Sequence, residues 1–154
     1  MKSIIVPIET VDSAKRFAEI ALKIAAKFNS KITFIQAYNL VYTDNTINEL
    51  TAVTPNSAVI NMDTQLEFMK RSLKDFVCNL PHAEQTSYAT HIGLGTIEEV
   101  MQDLNDKESA DLVIIRATDD NFLDSLMGWS NEKISRKSSC SVLIIPEDMR
   151  LVAI

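Results

Sequence analysis

The sequence predicts an α/β protein built on an open, doubly wound parallel sheet with helices on both faces. Three apolar runs, from Ser3 to Ile8, from Asp111 to Ile115 and from Ser141 to Ile145, are continuous rather than alternating. Strands buried on both faces of a parallel sheet read this way. The stretches between them carry apolar residues at every third or fourth position, so strands and helices alternate along the chain.

The first run is the first strand. Asp12 or Ser13 then offers an N-cap, and Ala14, Phe17, Ala18, Ala21, Ile24, Ala25 and Phe28 share one face of a helix that closes at Asn29. Lys31 to Tyr38 is rich in β-branched and aromatic residues. It completes a β-α-β unit, and right-handed crossover sets it parallel to and beside the first strand. Residues 39 to 57 are polar, lack a period and contain Thr54-Pro55-Asn56, which predicts a long surface loop. Ser57 caps the next helix, with Met62, Leu66, Met69, Leu73, Phe76 and Val77 inward, until Pro81 stops it.

Weak alternation from Gln85 to Ile92 predicts the third strand. Thr96 and Glu99 then form an S/T-x-x-E capping box, and the helix they open runs to about Asn105. A fourth helix, roughly Leu123 to Lys137, separates the last two strands. In such sheets a ligand site lies at the carboxyl ends of the strands, where the strand order reverses. That rim is built from Pro7 to Asp12, Ala37 to Leu40, Gly93 to Gly95 and Arg116 to Asn121.

The chain's 154 residues fit one domain, residues 1–154, able to bury a core without disulfides or metal. Fifteen Lys and Arg against 21 Asp and Glu give a net charge of −6, which argues against nucleic acid and anionic membrane surfaces. The N-terminal apolar run is too short for a signal peptide core or a membrane span. Cys78 and Cys140 are far apart with no C-x-x-C spacing, so no disulfide framework or zinc knuckle is implied. A cytoplasmic location is expected.

The turn Ala117-Thr118-Asp119-Asp120-Asn121 sits where a nucleotide-binding unit places a glycine-rich phosphate cradle, yet it has two carboxylates and no glycine. Phosphate at a helix start needs close backbone N–H groups and the positive end of the helix dipole. Asp119, Asp120 and Asp124 compete for that field and repel a polyanion, since unit charges about 4 Å apart interact by roughly 4 kcal/mol at an effective dielectric near 20. Arg116 partly offsets them.

Ile4-Ile5-Val6-Pro7-Ile8 followed by an acid, the glycine entry to the third helix, Ala110 to Ile115 and Cys140 to Pro146 together span nearly the whole chain. In order and spacing the chain resembles the universal stress proteins. The resemblance implies a three-layer α/β/α, Rossmann-like sheet of the adenine nucleotide alpha hydrolase-like type, in strand order 3-2-1-4-5. Some members of that family bind ATP through G-x-x-G-x9-G-[S/T] after the fourth strand. Here Gly128 stands at the third glycine. The positions of the earlier glycines fall within Arg116-Ala117-Thr118-Asp119, which has no glycine, Trp129 replaces the Ser or Thr, and Ser130 follows. Glu9 takes the place of the adenosine-side Asp, and Ala37 that of the small apolar group on adenine.

The resemblance therefore implies a non-catalytic stress-response module that does not bind ATP, with no cofactor, acting on an unidentified protein partner. The alternative is a nucleotide-binding protein holding ATP or AMP, with Mg²⁺, through Glu9, Ala37, Arg116, Thr118, Gly128 and Ser130. A homodimer through the last strand and the tail Leu151-Val152-Ala153-Ile154 is expected on both the family pattern and the apolar edge.

Each singled-out residue also has a plainer role. Glu9 either meets a ribose or interacts with Ser13, Lys15 or Arg16. Trp129 either plugs the phosphate pocket or packs on its own domain. His82 and His91 lack an acid and a nucleophile, and Ser138-Ser139-Cys140-Ser141 lacks a G-x-S-x-G elbow. The Asp119-Asp120-Asp124 cluster suits a hard cation or a solvated helix start. Cys140 or the nearby serines as a redox or phosphorylation sensor is a third reading.

Overall fold

The computed structural model describes residues 1–38, 55–117 and 140–146, with the backbone alone for 55–61. Five parallel strands form one sheet in the order β3-β2-β1-β4-β5: β1 Ser3–Pro7, β2 Lys31–Tyr38, β3 Tyr88–Leu94, β4 Leu112–Ala117 and β5 Ser141–Pro146. The fold class read from the sequence and the strand order implied by the resemblance both hold. Three α-helices lie among the described residues: α1 Lys15–Lys27, α2 Pro55–Cys78 and α3 Ile97–Glu108. The expected helix from 123 to 137, the loop residues 39–54 and the tail 147–154 lie outside the described residues.

Alternation along the strands divides the core in two. Ile4, Val6, Ile32, Phe34, Leu112 and Ile114 face α1 and α2, while Ile5, Ile35, Val113 and Ile115 face Val100, Met101 and Leu104 of α3. Because consecutive β-α-β crossovers are right-handed, stepping from β1 to β2 to β3 puts α1 and α2 on one face. Reversing direction to reach β4 puts α3 on the other. The reversal leaves β1 and β4 as neighbours, Ile4 opposite Leu112 and Ile5 opposite Val113.

Helix boundaries moved where local hydrogen bonding differed from the sequence expectation. Neither Asp12 nor Ser13 caps α1. Val11–Ser13 forms a 3-10 turn, Ala14 takes the cap position without a side-chain bond, and the helix starts at Lys15. Asn29, at φ 50°, does supply the left-handed exit, but Phe28 just before it is 59% exposed rather than inward. Helix α2 begins at Pro55, so Ser57 lies inside it; proline suits a first helical position because its missing N–H would be unpaired there.

Residues Ala83–Gln85 form a turn rather than strand, with the Gln85 N–H donating to the His82 carbonyl, and β3 starts three residues later than expected, at Tyr88. The Thr96–Glu99 capping box is present in full. Helix α3 runs past Asn105 to Glu108, and Asn105 instead serves the exit, its Oδ1 accepting the Ala110 N–H at 2.9 Å. No helix among the described residues is long and apolar enough to cross a membrane.

A contact invisible in the linear sequence fixes the other end of the sheet. Asp111, just ahead of β4, accepts the backbone N–H groups of Lys2 at 2.7 Å and Ser3 at 3.0 Å. These two bonds, helped by the Lys2 charge, hold its carboxyl below the usual carboxylate value of 3.8. A depressed folded-state value stabilises the fold fully above the unfolded value, and that contribution is lost as pH falls through the depressed one. Asp111→Asn is expected to reduce stability near pH 7 by about 1 kcal/mol, the value of charge-assisted hydrogen bonds discounted for exposure. Urea titrations of both proteins should differ at pH 7 and converge toward pH 2. A pH-independent difference would assign the loss to geometry instead of charge.

Candidate functional site

The rim of the sheet where its order reverses lies between the carboxyl ends of β1 and β4. Beyond Pro7 the chain stays tied to the sheet. The Ile8 N–H donates to the Ile35 carbonyl at 2.8 Å, and Gln36 Nε2 donates to the Glu9 carbonyl at 3.4 Å. The Glu9 backbone is thus held over the β1–β2 junction with its side chain exposed. Among the described residues its carboxylate has neither a hydrogen bond nor an ion pair, so the expected interaction with Ser13, Lys15 or Arg16 is not formed.

Ser13 is engaged from the other side. Arg116, near the end of β4, donates from Nη1 to the Ser13 carbonyl and from Nη2 to Ser13 Oγ at 3.2 Å. Ser13 Oγ also lies 2.9 Å from Thr10 Oγ1. The guanidinium therefore fastens the turn after β1 to the end of β4, on the face that carries α1. The sequence places Thr10 in the rim from Pro7 to Asp12 but offers Ser13 only as a helix cap. The available signal was Arg116 itself, a cation closing an apolar strand run and needing a partner off the sheet.

Below this clamp is a cavity of about 10 Å³, lined by Pro7, Ile8, Glu9, Ala14, Phe17 and Arg116. It is about the size that admits one water. Glu9 and Arg116 are thus brought together, whereas Ala37 is not: it is half-buried on β2 and packs with the cluster of Ile5 and Ile35 on the α3 face. Thr118, Gly128 and Ser130 lie outside the described residues, as do Asp119, Asp120, Asp124 and Trp129.

A larger cavity of about 230 Å³ shares Phe17 and Arg116 with the first and is completed by Ser13, Arg16, Ile20, Ile145 and Pro146. Among the described residues no three His, Cys, Asp or Glu side chains cluster as metal ligands would. His82 sits at φ 68° in a turn, and His91 is exposed on β3. Burial pushes the half-buried Cys140 thiol above its ordinary value, with the Asp111 charge adding to the shift. A protonated thiol is a poor nucleophile, so this environment does not favour the redox-sensor reading of Cys140.

Comparison with known proteins matches residues 1–146 to the model of the universal stress protein family. Solved structures give the same fold. A universal stress protein in complex with cAMP is 19% identical at TM-score 0.55, with 96% of this chain and 98% of that one covered. Universal stress protein UspA from Lactobacillus plantarum is 19% identical at TM-score 0.54, covering 94% and 97%. A protein of the universal stress protein family from Burkholderia pseudomallei is 17% identical at TM-score 0.63, covering 94% and 96%. No curated protein matches the chain in sequence.

Proposed function

The chain belongs to the universal stress protein family, and from that membership we propose that it is a cytoplasmic, non-catalytic regulatory member that has given up the triphosphate grip and acts as a homodimer toward a protein partner. The observation that carries this reading is the Arg116–Ser13 clamp, which commits the guanidinium at the end of β4 to the turn after β1. The glycine-free stretch from Arg116 to Asp119 adds to it, since side chains there limit how closely a backbone N–H can approach phosphate.

Titration calorimetry with ATP and Mg²⁺ is the test. The expected result is no saturable heat at micromolar nucleotide. Saturable binding would overturn the proposal in favour of the second reading, an adenine-nucleotide-binding member using Glu9, Ala37, Arg116, Thr118, Gly128 and Ser130. That reading draws on the Glu9 carboxylate, which has no ion pair among the described residues, and on the relative described in complex with cAMP. AMP and cAMP, each with a single phosphate, belong in the same titration.

Support for the dimer comes from β5, an edge strand among the described residues, with Leu143 38% and Ile144 39% exposed. An unpaired edge bearing apolar side chains invites another copy of the strand. Light scattering is expected to give twice the chain mass, and Ile144→Lys to shift it to monomer, because a charge on an edge blocks pairing. A monomeric parent chain would remove this part of the proposal.

A further inference from the structure

We propose that the cavity between α1 and the β4–β5 side of the sheet binds a small monocarboxylate with an apolar body, held by Arg16 and Arg116. Its walls are Phe17, Ile20 and Ile145, each no more than 5% exposed. Its polar groups are the two guanidiniums and Ser13. An apolar lining with a few convergent polar groups is the composition of small-molecule sites. The two arginines set the sign of the ligand's charge.

Among the described residues neither charge is engaged in an ion pair. The ion pairs among the described residues are Lys31–Glu108 and Lys70–Glu67, and neither Arg16 nor Arg116 has a carboxylate partner among them. Arg116 directs two of its nitrogens at Ser13. A guanidinium has five N–H donors, so Arg116 keeps donors for a ligand while the clamp fixes its plane. Arg16 has no hydrogen bond to any described residue. Planar guanidinium groups match carboxylates bidentately, and a buried apolar wall beside them suits the ligand's hydrocarbon part.

Size and net charge narrow the class. A volume of about 230 Å³ falls below the roughly 300–1,000 Å³ of sites for drug-sized ligands, which fits a single ring or a short branched chain. A chain of net charge −6 favours a monoanion over a polyanion. Glu9 and Ala37 line no part of this cavity, and Arg116 is the one candidate nucleotide residue that it shares.

The probe is benzoate, titrated calorimetrically into the full chain up to millimolar concentrations. Saturable binding is expected, with benzamide, which lacks the charge, and acetate, which lacks the ring, each roughly tenfold weaker. Arg16→Gln should weaken benzoate by a similar factor without moving the thermal midpoint, since Arg16 is exposed and supports no described contact. Arg116→Gln supplies a second variant on the opposite wall, with the same weakening expected. Absence of saturable benzoate binding, equal binding of benzamide, or indifference to Arg16→Gln would each overturn the proposal.

Discussion

Phe34→Ala is expected to destabilise the protein by about 3–5 kcal/mol, the range for truncating a fully buried aromatic side chain. Phe34 is 0% exposed and the largest of the fully buried side chains among the described residues. It lies mid-strand on β2, opposite Val6 of β1 and Thr90 of β3, with strands on both sides and helices above. That position explains why the loss should be near full size. Paired strands fix the floor of the hole and α1 and α2 its roof, so the surroundings cannot collapse into the space. Total stability for domains of this kind is about 5–15 kcal/mol, so a large share would go. Urea unfolding should show a lower midpoint at unchanged slope. A loss below about 1 kcal/mol would mean that the core around Phe34 relaxes far more than its packing suggests.

Gly93→Ala is expected to cost about 1–3 kcal/mol by overpacking, although alanine is the smallest possible change. A Cβ at Gly93 would sit 2.7 Å from Val100 Cγ2 and 2.8 Å from Cγ1. Valine on a helix has one strongly preferred rotamer, so its methyls cannot swing aside. The strain must then move α3 away from β3, close to the turn at Gly95 and the capping box at Thr96. The compensating change is Val100→Ala. In the double variant most of the Gly93→Ala penalty should disappear, an interaction measurable by a double-mutant cycle. Simple additivity would sink the explanation.

What could be read from the sequence was what local chemistry determines. The continuous apolar runs in β1, β4 and β5 reported burial on both faces, and Thr96 with Glu99 reported a helix start, because each signal and its cause lie within a few residues. Gln85 misled because weak alternation cannot distinguish a strand from a turn closed by the His82 carbonyl. Ser13 was read as a cap because its type suits one. In the fold its hydroxyl meets Arg116, 103 positions later, and Asp111 meets Ser3 across 108. Partners so distant leave no local trace. The same holds for the candidate site: Glu9 and Arg116 were legible individually, and their sharing of one small cavity was not.

The place of β1 in the sheet bears on how the chain matures. Ile4 and Ile5 find their second neighbours only at Leu112 and Val113, so during synthesis the first strand waits, one flank unzipped and greasy, while some hundred residues are still being added. A nascent chain stalled before Leu112 would carry that sticky flank into the cell, where holding chaperones compete with clumping.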